Sequence, residues 1–384
     1  MNNFIFQTTK TIISEPGATS RLGEIAAEAG MKKVLLITDP GLAKVGLLDK
    51  ALKGLNSADL DVTVFSEVKP EPPVANVMDA LQIAKDFDAD GVIGFGGGSS
   101  MDVAKLVAFL SCSSQTLPEI YGVGLAKGKR LPLILVTTTA GTGSEVTPIA
   151  IVTTETDEKK GIVSPIILPD IAVLDAELTT GLPPRVTAMT GIDAMVHAIE
   201  AYTTKLKKNP ISDVLARKGL KLLFENIGKA VDTGDDIEAR SNMLLGALLA
   251  GQAFANAPVG AVHALAYPIG GQFHVPHGLS NSLILPQVMR FNLPVASKQY
   301  AELARELFSE QETKSDLAAA MELITAIEKL ITDVGLESRL SEVGIEETSL
   351  PGMAEDAMLQ TRLLVNNARE VSYDDALQIY KDAW

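Results

Sequence analysis

The sequence predicts an α/β N-terminal domain built on a parallel sheet, residues 1–182, followed by an all-α C-terminal domain, residues 183–384. Three observations carry this reading. Short apolar runs alternate with amphipathic helical segments through the first half, the signature of a βαβ sheet covered on both faces. From residue 183 onward helical spacing continues almost without strand signals. A length of 384 residues suits two domains of ordinary size.

In order, "KKVLLITD" (32–39) reads as a buried strand and "GLAKVGLLDKALKGL" (41–55) as a helix after a Pro-Gly turn. "LDVTVFSEV" (60–68) is strand-like, and "PPVANVMDALQIAKDF" (72–87) has helical spacing behind its prolines. "ADGVIGFGGGSS" (89–100) is a strand running into glycines, "MDVAKLVAFLSC" (101–112) a helix, and "LPLILVTTTAG" (131–141) another strand feeding a glycine loop. In the second half, "PPRVTAMTGIDAMVHAIEAY", "ISDVLARKGLKLLFENI", "RSNMLLGALLAGQAF", "SDLAAAMELITAIEKLI" and "YDDALQIYKDAW" repeat apolar residues at three and four. Ligands of open α/β sheets bind beyond the carboxyl ends of the strands, so the cleft between the two domains is the expected active site.

Composition removes several function classes. A hydrophobic content of 46% with 21% charged residues describes a soluble globular chain. With 33 basic against 48 acidic residues the net charge is −15, which argues against nucleic-acid and anionic-membrane partners. The single cysteine, Cys112, excludes an intrachain disulfide and a cysteine-based zinc site, and its helical, apolar surroundings predict buried filler. No secretory leader is read at the start. The charge-free run 241–289 is broken by Gln252, Asn256, Pro258, His263, Pro268 and repeated glycine, which leaves no transmembrane-length apolar stretch. A cytoplasmic protein is expected.

"GFGGGSSMDVAK" (94–105) sets three consecutive glycines and two serines between a strand and a helix. Without Cβ atoms the backbone can approach a ligand, and the helix start offers unpaired N–H groups, which suits a pyrophosphate. The motif is neither the Rossmann fingerprint nor a Walker A loop. Its plain reading is a tight turn with Ser99 or Ser100 as N-cap. "TTTAGTGSE" (137–145) carries five hydroxyls that can hold ribose, amide or phosphate oxygens, or can self-cap as turns; both readings stay open. So do two readings of Asp39, which ends a strand in "LLITDPG": a ribose-binding acid that favours NAD over NADP, or an ordinary Asp-Pro-Gly turn.

Three of the four histidines, His263, His274 and His277, fall within "AVHALAYPIGGQFHVPHG" (261–278), inside the charge-free run. The fourth, His197, lies four residues after Asp193 in "GIDAMVHAIEAY", on one face of a predicted helix. Buried imidazoles need partners, and a bound divalent cation supplies one for all. Asp193, His197, His263 and His277 would give one carboxylate and three imidazoles, a set for Fe(II) or Zn(II). Zn(II) outcompetes Fe(II), so the metal as isolated can differ from the native one.

On "VKPEPPVANVMDAL", "GFGGGSSMDVAK", "TTTAGTGSEVT", "KGIVSPIILPDIAVLDAELT", "GIDAMVHAIEAY", "HALAYPIGGQFHVPHGLSN" and "YDDALQIYKDAW", the chain resembles the iron-containing (group III) alcohol dehydrogenases over essentially its full length. Lactaldehyde reductase, propanediol dehydrogenase and butanol dehydrogenases belong to that family. The resemblance implies a dehydroquinate synthase-like fold, with an NAD-binding domain and a helical, metal-binding catalytic domain. It puts the metal ligands on Asp193, His197, His263 and His277, and the pyrophosphate loop on Gly96, Gly97, Gly98 and Ser99. Thr138, Thr139 and Thr142 match the second cofactor loop, Lys160 a cofactor-contacting lysine and Asp39 the NAD-selecting acid. Some relatives carry a histidine where this chain has Tyr267, so a proton relay would use His274, Tyr267 or water.

The implied activity is reversible, NAD-dependent oxidation of a small primary alcohol or diol to its aldehyde, by a homodimer or higher homo-oligomer. Three rivals are a lyase resembling dehydroquinate synthase, a metal-free reductase resembling maleylacetate reductase, and a nucleotide-binding sensor with a structural metal. A phosphorylated, carboxylated substrate would need a more basic pocket than the charge-free run provides.

Overall fold

The computed structural model describes residues 3–384 apart from 157, 309 and 311–313. It divides into two compact units: Gln7–Thr180, and Gly181–Trp384 with the first described residues up to Phe6.

The first unit holds strands β1 (Thr11–Ser14), β2 (Lys33–Ile37), β3 (Asp61–Phe65), β4 (Gly91–Gly96), β5 (Gly122–Val123), β6 (Leu133–Thr137), β7 (Ile149–Thr153), β8 (Lys159–Val163) and β9 (Ile171–Leu174). Its helices are α1 (Leu22–Glu28), α2 (Pro40–Lys44), α3 (Asp49–Ser57), α4 (Val74–Asp86), α5 (Gly98–Leu110) and α6 (Leu117–Ile120). Six strands form a wholly parallel sheet in the order β1-β9-β6-β4-β2-β3. Along β2 the side chains alternate between two cores. Leu35 and Ile37 pack with α4 and α5, while Val34 and Leu36 pack with α1 and α3. Burial on both faces is why these strands read as continuous apolar runs rather than as alternating ones.

The chain steps outward from β2 to β3, returns to lay β4 beside β2, then continues to β6 and β9 on the other side. This reversal leaves the carboxyl ends of β2 and β4 at a switch point, where a doubly wound sheet opens a crevice.

Four details differ from the sequence reading. The 41–55 helix is two helices, because Gly46 adopts φ +73° between them. The edge strand β1, its inner neighbour β9 and a small sheet, β5-β8-β7, were not anticipated. The N-cap of α5 is Gly97, which leaves both serines inside the first turn. Cys112 is exposed rather than buried, since α5 ends at Leu110 and the chain is already turning.

The second unit holds α7 (Pro184–Thr203), α8 (Pro210–Asp232), α9 (Ile237–Asn256), α10 (Ala261–Phe273), α11 (His277–Leu307), α12 (Asp316–Asp333), α13 (Leu350–Met358), α14 (Thr361–Leu364) and α15 (Tyr373–Ala383). Among the described residues it contains no strand. Proline opens α7 at its first position, where no N–H is needed. Buried through most of its length, α7 packs on α8, α9 and α11. No single described helix is long and apolar enough to cross a membrane; α9 and α10 pass that test only together and are bent by 106°.

Candidate functional site

Asp193, His197 and Glu200 project from one face of α7, and all three are buried. His263 comes from the first turn of α10, and His277 is the first residue of α11. One ligand atom each from Asp193, His263 and His277 lies within 4.8 Å of the others. The start of α11 is pressed onto the backbone of α7 to achieve this. A Cβ at Gly278 would stand 2.3 Å from the Met189 carbonyl oxygen, so only glycine brings His277 this close to Asp193.

Hydrogen bonds fix which atoms face the centre. Glu200 Oε2 lies 2.6 Å from His263 Nδ1, and Glu200 Oε1 accepts from the Val262 amide at 2.7 Å. A carboxylate partner at Nδ1 takes the imidazole proton there and leaves the Nε2 lone pair free for a metal. On α11, one turn after His277, Asn281 Nδ2 donates to Asp193 Oδ1 at 2.6 Å and stands 3.3 Å from Nε2 of both His263 and His277. An amide has two N–H groups for these three acceptors. Among the described residues, its buried Oδ1 has no hydrogen-bond partner. More lone pairs than protons converge here, and a cation satisfies them.

Burial pushes the Asp193 carboxyl up, but His197, His277, His263 and the Asn281 amide outweigh it and hold the group below its ordinary range. Nitrogen-rich donors with one carboxylate fit Fe(II) or Zn(II) better than the all-oxygen cations.

His197 lies beside this group but not within the convergent three. Its ring is stacked between Phe254, at 4.3 Å, and His263, at 4.9 Å between centroids. Tyr267, one turn beyond His263 on α10, holds its ring 6.2 Å from that of His277. Its hydroxyl accepts from Arg362 Nη2 at 3.4 Å. Burial raises the Tyr267 hydroxyl above its ordinary range, with Arg362 opposing and Asp193 and Glu200 reinforcing the rise. His274 is exposed, caps the end of α10 at φ +55°, and lies outside the convergent group.

The first unit gathers a second set of residues at the switch point. Gly96 adopts φ +149°, and its carbonyl accepts from the Thr138 amide at 3.1 Å, joining the loops after β4 and β6. A Cβ at Gly98 would come within 3.0 Å of Thr142, and one at Gly97 within 3.7 Å of Thr139. The glycine turn at 96–98 and the threonine loop at 138–142 therefore face each other across a narrow cradle, with Ser99 following in the first turn of α5. The amides at the start of α5 are free for an anion, as a pyrophosphate requires. Asp39 follows β2, the adjacent strand; its Oδ1 caps α2 through the Leu42 amide at 3.0 Å. Lys160 sits in the small sheet, on β8, paired with Glu158 at 2.7 Å.

Behind the cradle lies a buried charged network that the sequence reading missed. Lys105 Nζ, fully buried, donates to Ser144 Oγ at 2.7 Å, the Ile149 carbonyl at 2.7 Å and Thr147 Oγ1 at 3.2 Å. Asp102 accepts from Ser144 Oγ at 2.7 Å and the Ile151 amide at 3.0 Å. Burial lowers Lys105 to about 8 against the pull of Asp102 and Glu145, and raises Glu145 to about 7. These bonds tie α5, which begins at the glycine loop, to the segment after the hydroxyl loop. An acid and a lysine three apart in the otherwise apolar "SSMDVAKLVAFL" were the available signal. Glu200, three residues after His197, and Asn281, four after His277, lie at helical spacing from a histidine, but spacing alone does not single them out.

Both halves of the chain match known proteins. A model of the iron-containing alcohol dehydrogenases matches residues 9–176, and a model of the C-terminal part of the Fe-containing alcohol dehydrogenase family matches 187–384. Long-chain-alcohol dehydrogenase 1 of Geobacillus thermodenitrificans (strain NG80-2) is 40% identical over 371 residues, 96% of this chain and 93% of the relative. A crystal structure of 1,3-propanediol oxidoreductase superposes with a TM-score of 0.97 at 36% identity, covering 100% of both chains. Sulfoacetaldehyde reductase from Bifidobacterium kashiwanohense, solved in complex with NAD+, gives a TM-score of 0.90 at 28% identity, covering 100% of this chain and 99% of the other. With both halves matched in order and a nitrogen-rich triad in the helical half, the chain belongs to the iron-containing alcohol dehydrogenase family.

Proposed function

We propose that the chain is a metal- and NAD(H)-dependent alcohol dehydrogenase interconverting a small primary alcohol or diol and its aldehyde. The observation that carries this is the convergence of Asp193, His263 and His277 within 4.8 Å, the two histidines coming from the charge-free run 241–289. Asp193, His197, His263 and His277 hold the ion, native Fe(II) or Zn(II) as isolated. Gly96, Gly97, Gly98, Ser99, Thr138, Thr139 and Thr142 cradle the pyrophosphate end of NAD, with Asp39 and Lys160 as further contacts. When bound, the ion supplies a Lewis acid for the substrate oxygen and the nicotinamide takes up or returns the hydride. Residues 1–182 then serve as the nucleotide domain and 183–384 as the metal domain.

The chain's own residues prepare that chemistry. Glu200 fixes the His263 tautomer, and Asn281 orients Asp193. Tyr267 is the better-supported proton carrier, since its ring stands beside that of His277. Exposed His274 takes that role only through intervening water. NAD is favoured over NADP because Asp39 would repel a 2′-phosphate. A cytoplasmic homodimer or higher oligomer is the expected form. The relatives' names span long-chain alcohols, a diol and a sulfonated aldehyde, so the class of reaction is better supported than the substrate.

His263→Ala and His277→Ala should each lose bound metal, measured by elemental analysis, together with NADH oxidation in the presence of small aldehydes. If both variants kept full turnover after metal stripping, this reading would be wrong.

A further inference from the structure

The helical unit carries a cation beside its metal triad that the alcohol–aldehyde reaction itself leaves unused. Arg362, in the short helix α14, is exposed and has no carboxylate within ion-pair distance among the described residues. Arg130, Arg185, Arg217 and Arg290 are all paired with acids, as expected in a chain with 15 more acids than bases. Among the described residues, the only hydrogen bond its side chain makes is the 3.4 Å contact to Tyr267 Oη, which leaves most of the guanidinium's five donors uncommitted.

Its position is built rather than incidental. The buried amide of Asn366 donates to the Arg362 carbonyl at 3.0 Å and to the Val259 carbonyl at 2.9 Å. Val259 lies just ahead of α10, so one side chain ties the backbone of Arg362 to the helix that carries His263 and Tyr267. The guanidinium is thus held one tyrosine ring away from His277.

We propose that Arg362 is a specificity-determining residue that receives the far end of an anionic substrate: an aldehyde, or the matching alcohol, bearing a terminal carboxylate or sulfonate. The inference rests on the dehydrogenase reading above and adds a substrate class to it. A planar guanidinium matches such oxyanions with two parallel N–H donors, which a neutral diol or alkyl chain cannot use. The Tyr267 hydroxyl steadies the guanidinium from the side of the triad. The carbonyl end then points toward the metal residues and the anion away from Asp193 and Glu200.

The test compares chains of equal length. With the metal-loaded enzyme and NADH, kcat/KM is measured for succinic semialdehyde and for butanal, in the wild type, Arg362→Leu and Arg362→Lys. Binding of 4-hydroxybutyrate and of 1-butanol is followed by calorimetry. The expected result is a wild-type preference for the anionic aldehyde that falls roughly tenfold or more in Arg362→Leu, the worth of one charge-assisted hydrogen bond. Any fall in butanal turnover, felt through the Tyr267 hydroxyl that Arg362 contacts, is several-fold smaller than the fall for the anionic aldehyde; 4-hydroxybutyrate binding weakens in parallel, and Arg362→Lys recovers part of the loss. No wild-type preference, or an equal fall for both aldehydes, overturns the role of Arg362. Failure of the wild type to reduce either aldehyde would instead remove the dehydrogenase reading beneath it.

Discussion

Glu200 illustrates how one side chain can set the chemistry of another it merely touches. It sits on the same face of α7 as Asp193 and satisfies two donors at once, the Val262 amide and His263 Nδ1. Replacing it by Gln keeps the shape but removes the charge that favours a proton on Nδ1, so the lone pair is no longer committed to Nε2. Glu200→Gln should weaken metal affinity by about 10- to 100-fold while far-UV circular dichroism stays native. A competition titration against a chelator reads this; affinity equal to wild type would show that Glu200 only fills space. Asp193, His263 and His277, which converge here, stood out in the sequence because histidines are scarce and Asp193 is four residues before one; His197 stood out equally but lies outside the convergent three. Glu200 and Asn281 could not be singled out, since a lone Glu or Asn in a helix is common and only tertiary contact shows which one faces an imidazole. The same limit applies to Cys112, where helix periodicity was extended two residues past the true end of α5.

Helix docking places the triad, and it depends on one missing side chain. At the start of α11, a Cβ on Gly278 would lie 2.3 Å from the Met189 carbonyl oxygen and 2.8 Å from its carbon, both backbone atoms that cannot swing aside. Gly278→Ala must therefore lift the first turn of α11, carrying His277 and Asn281 away from Asp193. Displacements near 1 Å at a reacting centre cost about 100-fold in rate, and overpacking of this kind costs about 1–3 kcal/mol of stability. The expected outcome is at least a tenfold loss of metal affinity and a lower midpoint of thermal unfolding. Gly352→Ala, on α13 with nothing within 4 Å of the added atom, is the control and should leave metal affinity unchanged without lowering the midpoint. The strands β2, β4 and β6 were legible because burial on both faces leaves unbroken apolar runs. The edge strand β1, its neighbour β9 and the β5-β8-β7 sheet were not: "TIIS" in β1 is exposed or half-buried with no distinguishing period, and β9 is an apolar run of only four residues.

At the scale of the whole chain, the charge-free run 241–289 is the main compositional anomaly, and it maps onto α9, α10 and the beginning of α11. All the histidines and the carboxylate proposed for the metal belong to Gly181–Trp384, whereas the glycine and threonine loops belong to Gln7–Thr180. Ligand binding stabilises a native state by RT ln(1 + [L]/Kd), and amide protection reports where that stabilisation is felt. Removing the metal with a chelator leaves the lone pairs of Asp193, His263 and His277 converging on Asn281, which has too few protons for them. Hydrogen exchange followed by mass spectrometry should then rise in peptides spanning 190–200, 261–273 and 277–285. Peptides of the six-stranded sheet should exchange as before, because no proposed ligand comes from them. Adding NAD+ to the chelated protein should protect peptides 94–105 and 137–147 without restoring protection around His263. A uniform rise across both units on chelation would mean that the ion supports the chain as a whole and that the assignment of its ligands to α7, α10 and α11 is too narrow.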